Sequence, residues 1–222
     1  MGYWSYYLVL IALAWLLQYP WLLAGLVLFF LLRRHIPDPW VWVRTAGRIR
    51  GLRAQIDANA SNATARRDLA RIYLERRRSR AASRLLDEAL KRDPKNAELL
   101  FLQGLARHRS GDSQGALEPV VAAVDIDPGV GFGEPYLVAG DALAALGRLE
   151  EAEDAYERYV DSNTSSIQGL LKLARVRKAR RDSTGARRAL GEALSTWTQL
   201  PRFRRRQELS WWVRAQVARL FI

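Results

Sequence analysis

The chain has 222 residues and a formal net charge of +12, with 35 Lys and Arg residues against 23 Asp and Glu residues. It contains no cysteine, which excludes a disulfide framework and a thiolate metal site, and its only histidines are His35 and His108. The stretch "GVGFGEP" at 129–135 is not a phosphate-binding loop, because the Lys-Ser/Thr pair of such a loop does not follow it. We therefore expect a protein that is not an enzyme and that holds no metal or other cofactor.

An uncharged apolar run occupies residues 6–32 and is interrupted only by Gln18, Pro20 and Gly25. Because about 20 apolar residues suffice to cross a bilayer, we predict a membrane anchor over residues 1–35. Proline disrupts a helix, so the anchor is either a single kinked transmembrane helix or a re-entrant hairpin that turns near Pro20. Aromatic clusters at the start of the run and around the proline slightly favour the hairpin. A cleaved signal peptide is less favoured, because no basic segment precedes the run.

Basic residues follow the apolar run and none precedes it. Lys and Arg mark the cytoplasmic flank of a membrane segment, so we expect the rest of the chain to lie in the cytoplasm. The preference for arginine over lysine suggests a bacterial protein and hence the bacterial inner membrane. The residues expected at the membrane interface are Trp4, Trp21, Arg33, Arg34, Trp40 and Trp42.

Residues 36–60 predict a basic amphipathic helix next to the membrane. Asp38 is a good N-cap, and Pro39 fits the first helical position. This helix would lie at the lipid interface or pack against the domain that follows. It could also do both, with its N-terminal half on lipid and its C-terminal half on protein. Its apolar face is formed by Trp42, Ala46, Ile49, Leu52 and Ile56.

Small residues recur along the rest of the chain at steps of 34, 36 and 34 residues. A period near 34 is the length of a repeat made of two helices. Small residues allow the two helices of a pair to cross closely. A third series, made of large residues at the same steps, fills the space beside the crossings. The two small series are Ala70, Gly104, Gly140, Ala174 and Ala82, Ala116, Ala152, Ala186, and the large series is Leu86, Val120, Tyr156, Leu190.

This pattern resembles that of the tetratricopeptide repeat (TPR) family over about residues 62–199. The first repeat carries it as Leu69-Ala70, Tyr73, Ala82, Leu86, Ala89 and Pro94. The resemblance implies an all-α solenoid of about four repeats, at 62–96, 97–130, 131–164 and 165–199. The sequence departs from the family pattern in four ways: Arg77 stands where a turn glycine is expected, Tyr159 replaces a small residue, two extra residues precede the third repeat, and Thr198 stands where the terminal proline of the fourth repeat is expected.

Residues 200–222 predict a last helix that covers the exposed apolar edge of the fourth repeat, as solenoid ends require. Trp211, Trp212, Val217, Leu220 and Phe221 make it unusually apolar for that task. We therefore also consider contact of this helix with the membrane or with a partner.

Charge alternates along the predicted solenoid. The four repeats carry net charges of +6, −3, −6 and +6, and residues 200–222 carry +5. Such zones favour contact with anionic lipid headgroups, or electrostatic matching to a protein partner or a second copy. Nucleic-acid binding is not expected, because no aromatic-basic groove motif accompanies the arginines.

These observations predict a membrane-anchored adaptor or scaffold that binds a protein partner at the cytoplasmic face. The alternative is a structural subunit of a homo-oligomeric or multi-protein membrane complex. The family resemblance implies that residues on the inner helices line a concave groove for the partner. Those residues are Arg67, Arg71, Phe101, Leu105, His108, Leu137, Asp141, Leu171, Arg175 and Lys178.

Overall fold

The computed structural model describes the backbone of residues 39–222 and the side chains from residue 41 onward, together with Tyr7, Gln18, Tyr19 and Trp21. The chain divides into two compact units, residues 1–46 and 47–222. In the described part of the chain, no helix combines the length and the apolarity that crossing a membrane requires. Apart from the four residues just named, the predicted anchor at 1–35 lies outside the described residues. So do Trp4, Arg33, Arg34, Asp38 and the side chain of Trp40.

Residues 39–222 form ten α-helices and contain no β-strand. The helices are α1 (Pro39–Ala58), α2 (Ala63–Glu75), α3 (Ser79–Leu90), α4 (Ala97–Arg109), α5 (Ser113–Ile126), α6 (Glu134–Ala145), α7 (Leu149–Ser162), α8 (Ile167–Ala179), α9 (Ser183–Gln199) and α10 (Arg202–Ala218). Each helix of 63–199 packs mainly on its neighbours in sequence, and the closest pairs are α2 with α3, α4 with α5, α6 with α7 and α8 with α9. The described chain is therefore a solenoid of four helix pairs, as the 34-residue period predicts.

The C-terminal half of α1 belongs to the core of the solenoid. Ile49 and Leu52 are buried together with residues of α2 and α3, and Nη2 of Arg53 donates a hydrogen bond to the hydroxyl of Tyr73 at 2.7 Å. Trp42, nearer the start of the helix, is exposed. The second half of this helix therefore packs on the helices that follow it. Lipid contact by the first half stays a prediction.

The small residues of the repeats lie at helix crossings with no free space. A Cβ atom on Gly104 would lie 2.2 Å from Cγ2 of Val120, and one on Gly140 would lie 2.6 Å from the ring of Tyr156. At the equivalent positions in the first and fourth pairs, Ala70 and Ala174 are fully buried. The crossing positions inferred from the spacing are confirmed.

The turns inside the four pairs share one backbone conformation. Gly111 and Gly147 have φ angles of 100° and 76°, in the left-handed region that glycine adopts without strain. Arg77 and Arg181 occupy the same turn position with φ angles of 58° and 68°. The first and fourth pairs thus use an arginine where the middle pairs use glycine.

The two extra residues before the third pair are taken up by a short 3-10 turn, Val130–Gly133. Gly131, Phe132 and Gly133 are all left-handed there, and the amide of Asn163 donates a hydrogen bond to the carbonyl of Phe132 at 2.7 Å. A Cβ atom on Gly131 would lie 3.3 Å from the ring of Phe101. The turn therefore lies against that ring.

Ion pairs join the acidic third pair to the basic fourth pair. Arg177 binds Glu153 at 2.8 Å and also pairs with Glu157. Arg180 pairs with Glu153 and lies 3.2 Å from Glu150. Some of the acidic side chains of the third repeat are thus neutralised by arginines of the fourth repeat. Their charge is not available to a partner.

Helix α10 packs against α8 and α9. Ala215 and Ala218 are buried in this contact, and the rings of Trp197 and Trp212 stack with their centroids 4.9 Å apart. Helix α10 therefore covers part of the fourth helix pair. Exposed apolar side chains remain on the helix and just after it, among them Val213, Val217 and Phe221.

Candidate partner-binding groove

The first helices of successive pairs, α2, α4, α6 and α8, form one side of the solenoid, with α2 touching α4 and α4 touching α6. The ten residues predicted to line a groove all lie on these helices. The groove has three parts, which differ in how exposed these residues are and in whether their charges are already paired.

At the N-terminal end, the two predicted cations are already paired. Arg67 binds Glu98 at 2.9 Å and Asp68 at 3.0 Å, and Arg71 also pairs with Glu98. Burial alone would lower the pKa of Arg67, but the hydrogen bonds and charges of the two carboxylates outweigh burial and raise it. A ligand with acidic groups would have to displace Glu98 here, so this end is a weak anion site.

In the centre, two of the predicted contacts are not available. Phe101 is 6% exposed and Leu171 is fully buried. Phe101 lies against the turn at Val130–Gly133, and Leu171 belongs to the core shared with α10. Both are core residues, which corrects the prediction that they face a ligand. Leu105 and Leu137 are half-buried and remain accessible in part.

Beside these leucines lies a polar cluster. Lys172 pairs with Asp141, which also accepts a hydrogen bond from the hydroxyl of Tyr156 at 2.7 Å. Nδ1 of His108 lies 3.1 Å from the hydroxyl of Ser113. Burial lowers the pKa of His108, and the charge of Asp141 opposes this only in part. Within the described residues, no group of three His, Asp or Glu side chains is arranged to hold a metal ion.

The C-terminal end of the groove differs from the rest, because it holds a cavity of about 470 Å³ between α8 and the last helix. Val213, Val217 and Phe221 contribute its apolar wall, and Arg175 and Lys178 lie at its edge. In the described part of the chain, neither cation has an ion pair or a hydrogen bond. An apolar surface beside two unpaired cations is suited to an apolar side chain next to an acidic group.

Sequence reasoning missed two kinds of residue in this groove. Glu98 and Lys172 neutralise predicted groove charges by pairing with side chains of a neighbouring repeat, which the spacing within one repeat does not specify. Val213 and Phe221 were assigned to the last helix but not to the groove. Their position depends on how α10 packs, which no repeat period specifies.

The family model of the tetratricopeptide repeat matches residues 52–130 and 136–167, together half of the chain. The chain belongs to the tetratricopeptide repeat family. A comparison with curated proteins found no match to the sequence. TPR domains generally bind proteins, so proteins are the class of partner that this family membership suggests.

Solved TPR structures share the fold at low sequence identity. A crystal structure of MamA has a TM-score of 0.65 and 19% identity, over 70% of this chain and 92% of the MamA chain. A MamA fragment from Desulfovibrio magneticus RS-1 has a TM-score of 0.64 and 17% identity, over 70% and 90%. YrrB, described as a TPR protein with an unusual peptide-binding site, has a TM-score of 0.59 and 16% identity, over 73% and 87%.

Proposed function

We propose that this TPR protein is a membrane-anchored adaptor that binds a protein partner in the groove, at the cytoplasmic face of the membrane. The observation that carries the proposal is the C-terminal end of the groove. Arg175 and Lys178 lie there beside an apolar cavity of about 470 Å³ and are unpaired within the described residues. Their charge is therefore available to a ligand, unlike that of Arg67 and Arg71.

The partner segment that fits this end carries an apolar side chain and a nearby carboxylate. The apolar side chain would enter the cavity against Val217 and Phe221, and the carboxylate would meet the two cations. Leu105 and Leu137 extend the surface toward the middle of the groove. Aromatic and arginine side chains dominate many protein interfaces, which favours Phe221 and Arg175 as the main contacts.

Capture of partners by tagged full-length protein, quantified by mass spectrometry, tests this assignment. We expect Arg175→Ala combined with Lys178→Ala, and separately Val217→Asp, to reduce capture of the same protein by tenfold or more. Val217 is about half exposed, so the fold should tolerate the change. Arg84→Ala combined with Arg188→Ala, both exposed on other helices, removes the same charge elsewhere and should leave capture unchanged. Equal capture by all variants would show that the groove is not the binding surface.

The anchor part of the proposal rests on the uncharged apolar run at residues 6–32 and on the arginines that follow it. A protease added to intact spheroplasts should leave residues 60–222 whole, and cleavage within them would contradict a cytoplasmic domain. Because the chain has no cysteine, Gly2→Cys gives a unique label site. Labelling from outside by an impermeant reagent would support a single span, and protection would support the hairpin.

A further inference from the structure

The last helix has a face that no other described residue covers. Arg202, Arg206 and Leu209 follow at steps of four and three residues, which places them on one side of α10, and Leu220 lies in the turn that follows the helix. Leu209 is 48% exposed and Leu220 81%. We call these four residues the outer face of α10. It is basic at its N-terminal end and apolar at its C-terminal end.

A second surface of opposite charge lies on the repeats in the middle of the solenoid. A cavity of about 500 Å³ opens between α5, α6 and α7. Val121, Val124 and Tyr136 contribute apolar surface to it, and Asp125, Glu151 and Asp154 lie at its edge. We call this surface the acidic cavity. Val121 is 54% exposed, so an apolar surface is accessible there.

The carboxylates of the acidic cavity are either unpaired or held in weak ion pairs. Asp125 forms no ion pair with any described residue. Glu151 and Asp154 pair only with neighbours in their own helix region, Arg148 and Arg158, and these pairs are exposed. Exposed pairs of this kind contribute only about 0.2–1 kcal/mol. Arginines from another molecule could therefore replace them at little cost.

We propose that the outer face of α10 in one copy of this chain docks into the acidic cavity of a second copy. The two surfaces match in charge, since Arg202 and Arg206 lie on one, while Asp125, Glu151 and Asp154 outnumber Arg158 in the lining of the other. Each also offers exposed apolar side chains. They do not meet within one molecule, because α10 packs on α8 and α9 while the cavity belongs to α5–α7.

The proposed contact joins two different surfaces, so it is heterologous. A copy that offers its helix to one neighbour still has a free cavity for another. Assembly would therefore continue into a ring or an open chain and would not stop at a symmetric dimer. Two variants that each lack one of the two surfaces should therefore associate with each other, although neither associates with itself.

The experiment uses two variants of the full-length chain in mild detergent, each with one surface disabled. The helix variant is Arg206→Glu with Leu209→Glu, and the cavity variant is Val121→Arg with Asp154→Arg. None of these residues lines the cavity beside Arg175 and Lys178, so the partner-binding groove is intact in both. Circular dichroism compares their helix content with that of the wild type, and Arg188→Glu on α9 is the control for added charge.

Sedimentation velocity should show wild-type and control protein growing beyond dimers as concentration rises. Each surface variant alone should associate at least tenfold more weakly. An equimolar mixture of the two should form one-to-one dimers and nothing larger, because only one intact helix and one intact cavity remain to combine. A monomeric wild type, unaffected variants, or a mixture that forms no dimers would overturn the proposal.

Cysteine cross-linking gives a second measurement that does not depend on disabling substitutions. Leu209→Cys and Val121→Cys place single thiols on the two surfaces of an otherwise cysteine-free chain. Under mild oxidation the mixed pair should form disulfide-linked dimers at least tenfold faster than either variant alone. Equal rates would contradict the proposal. Loss of binding to anionic vesicles in the helix variant, with unchanged self-association, would assign the outer face to lipid instead.

Discussion

Gly169 and Tyr159 lie in direct contact between the third and fourth helix pairs. A Cβ atom on Gly169 would lie 2.6 Å from Cδ1 of the tyrosine ring. The hydroxyl of Tyr159 lies 3.2 Å from that of Ser166, the N-cap of α8. Tyr159 departs from the small residue that the family pattern expects, and the glycine at the start of α8 provides the space for its ring.

This contact predicts that Gly169→Ala destabilises the protein. The added methyl group overpacks a filled site, which typically costs about 1–3 kcal/mol and exceeds the gain in helix propensity. Gly191, exposed in α9 with nothing within 4 Å of its Cβ position, is the matched control. We expect Gly191→Ala to raise the free energy of unfolding by up to about 1 kcal/mol. Urea unfolding followed by circular dichroism measures both, and the penalty at Gly169 should shrink in a Tyr159→Ala background, which removes the ring.

The turn at Arg181 predicts a stabilising substitution. Its φ angle of 68° is left-handed, which costs an L-residue about 1–2 kcal/mol. Arg181→Gly removes that cost but adds unfolded-state entropy, so we expect a net gain of about 0.5–1 kcal/mol in the free energy of unfolding. Arg188→Gly, in the middle of α9, should instead lose about 1 kcal/mol. Equal effects of the two substitutions would contradict the turn assignment.

Substitutions at Phe101 and Leu105 should differ in whether they affect folding stability or partner binding. The ring is buried against the turn at Val130–Gly133, so Phe101→Ala should lower the free energy of unfolding by about 3–5 kcal/mol. Leu105 is half-buried on the same helix, and Leu105→Ala should cost clearly less while reducing partner capture. If Phe101→Ala left thermal unfolding unchanged and abolished capture, Phe101 would be a groove residue after all.

The contrast between these two residues shows what the sequence can predict here. Regular spacing located the crossings at Gly104 and Gly140, because the same contact recurs in every repeat. It could not predict the burial of Phe101, which depends on a single irregular turn. Nor could it predict that Glu98 neutralises Arg67 and Arg71, since that pairing depends on side chains from two repeats. Periodic features follow from the sequence, whereas local insertions and pairing across repeats require the structure.

Glu153 predicts a loss of stability in acid. Burial would raise its pKa, but hydrogen bonds from Arg177 and Arg180 outweigh burial and hold the pKa below the ordinary value of 4.5. The stabilisation is therefore present above pH 4.5 and is lost as the pH falls through the lower folded value. At neutral pH, Glu153→Gln should cost about 1.5–3 kcal/mol. The difference from wild type should shrink below pH 4.5, whereas Asp154→Asn, in an exposed pair with Arg158, should change stability by less than about 1 kcal/mol at any pH.

Glu208 predicts the opposite pH dependence. Burial raises the pKa of this carboxyl on α10, and the charge of Arg204 and the backbone amides of Ile167 and Gln168 offset burial only in part. One carboxyl oxygen is buried without a hydrogen-bond partner. Because the folded state holds the proton more tightly than the unfolded state, the stabilising contribution is present below the ordinary pKa of 4.5 and is lost as the pH rises through the raised folded value. Glu208→Gln should therefore stabilise the protein at pH 7 and have little effect near pH 4, as thermal unfolding across this range would measure. Glu192→Gln, exposed on α9, is the control and should show no such trend, and a Glu208→Gln variant less stable than wild type at pH 7 would contradict the prediction.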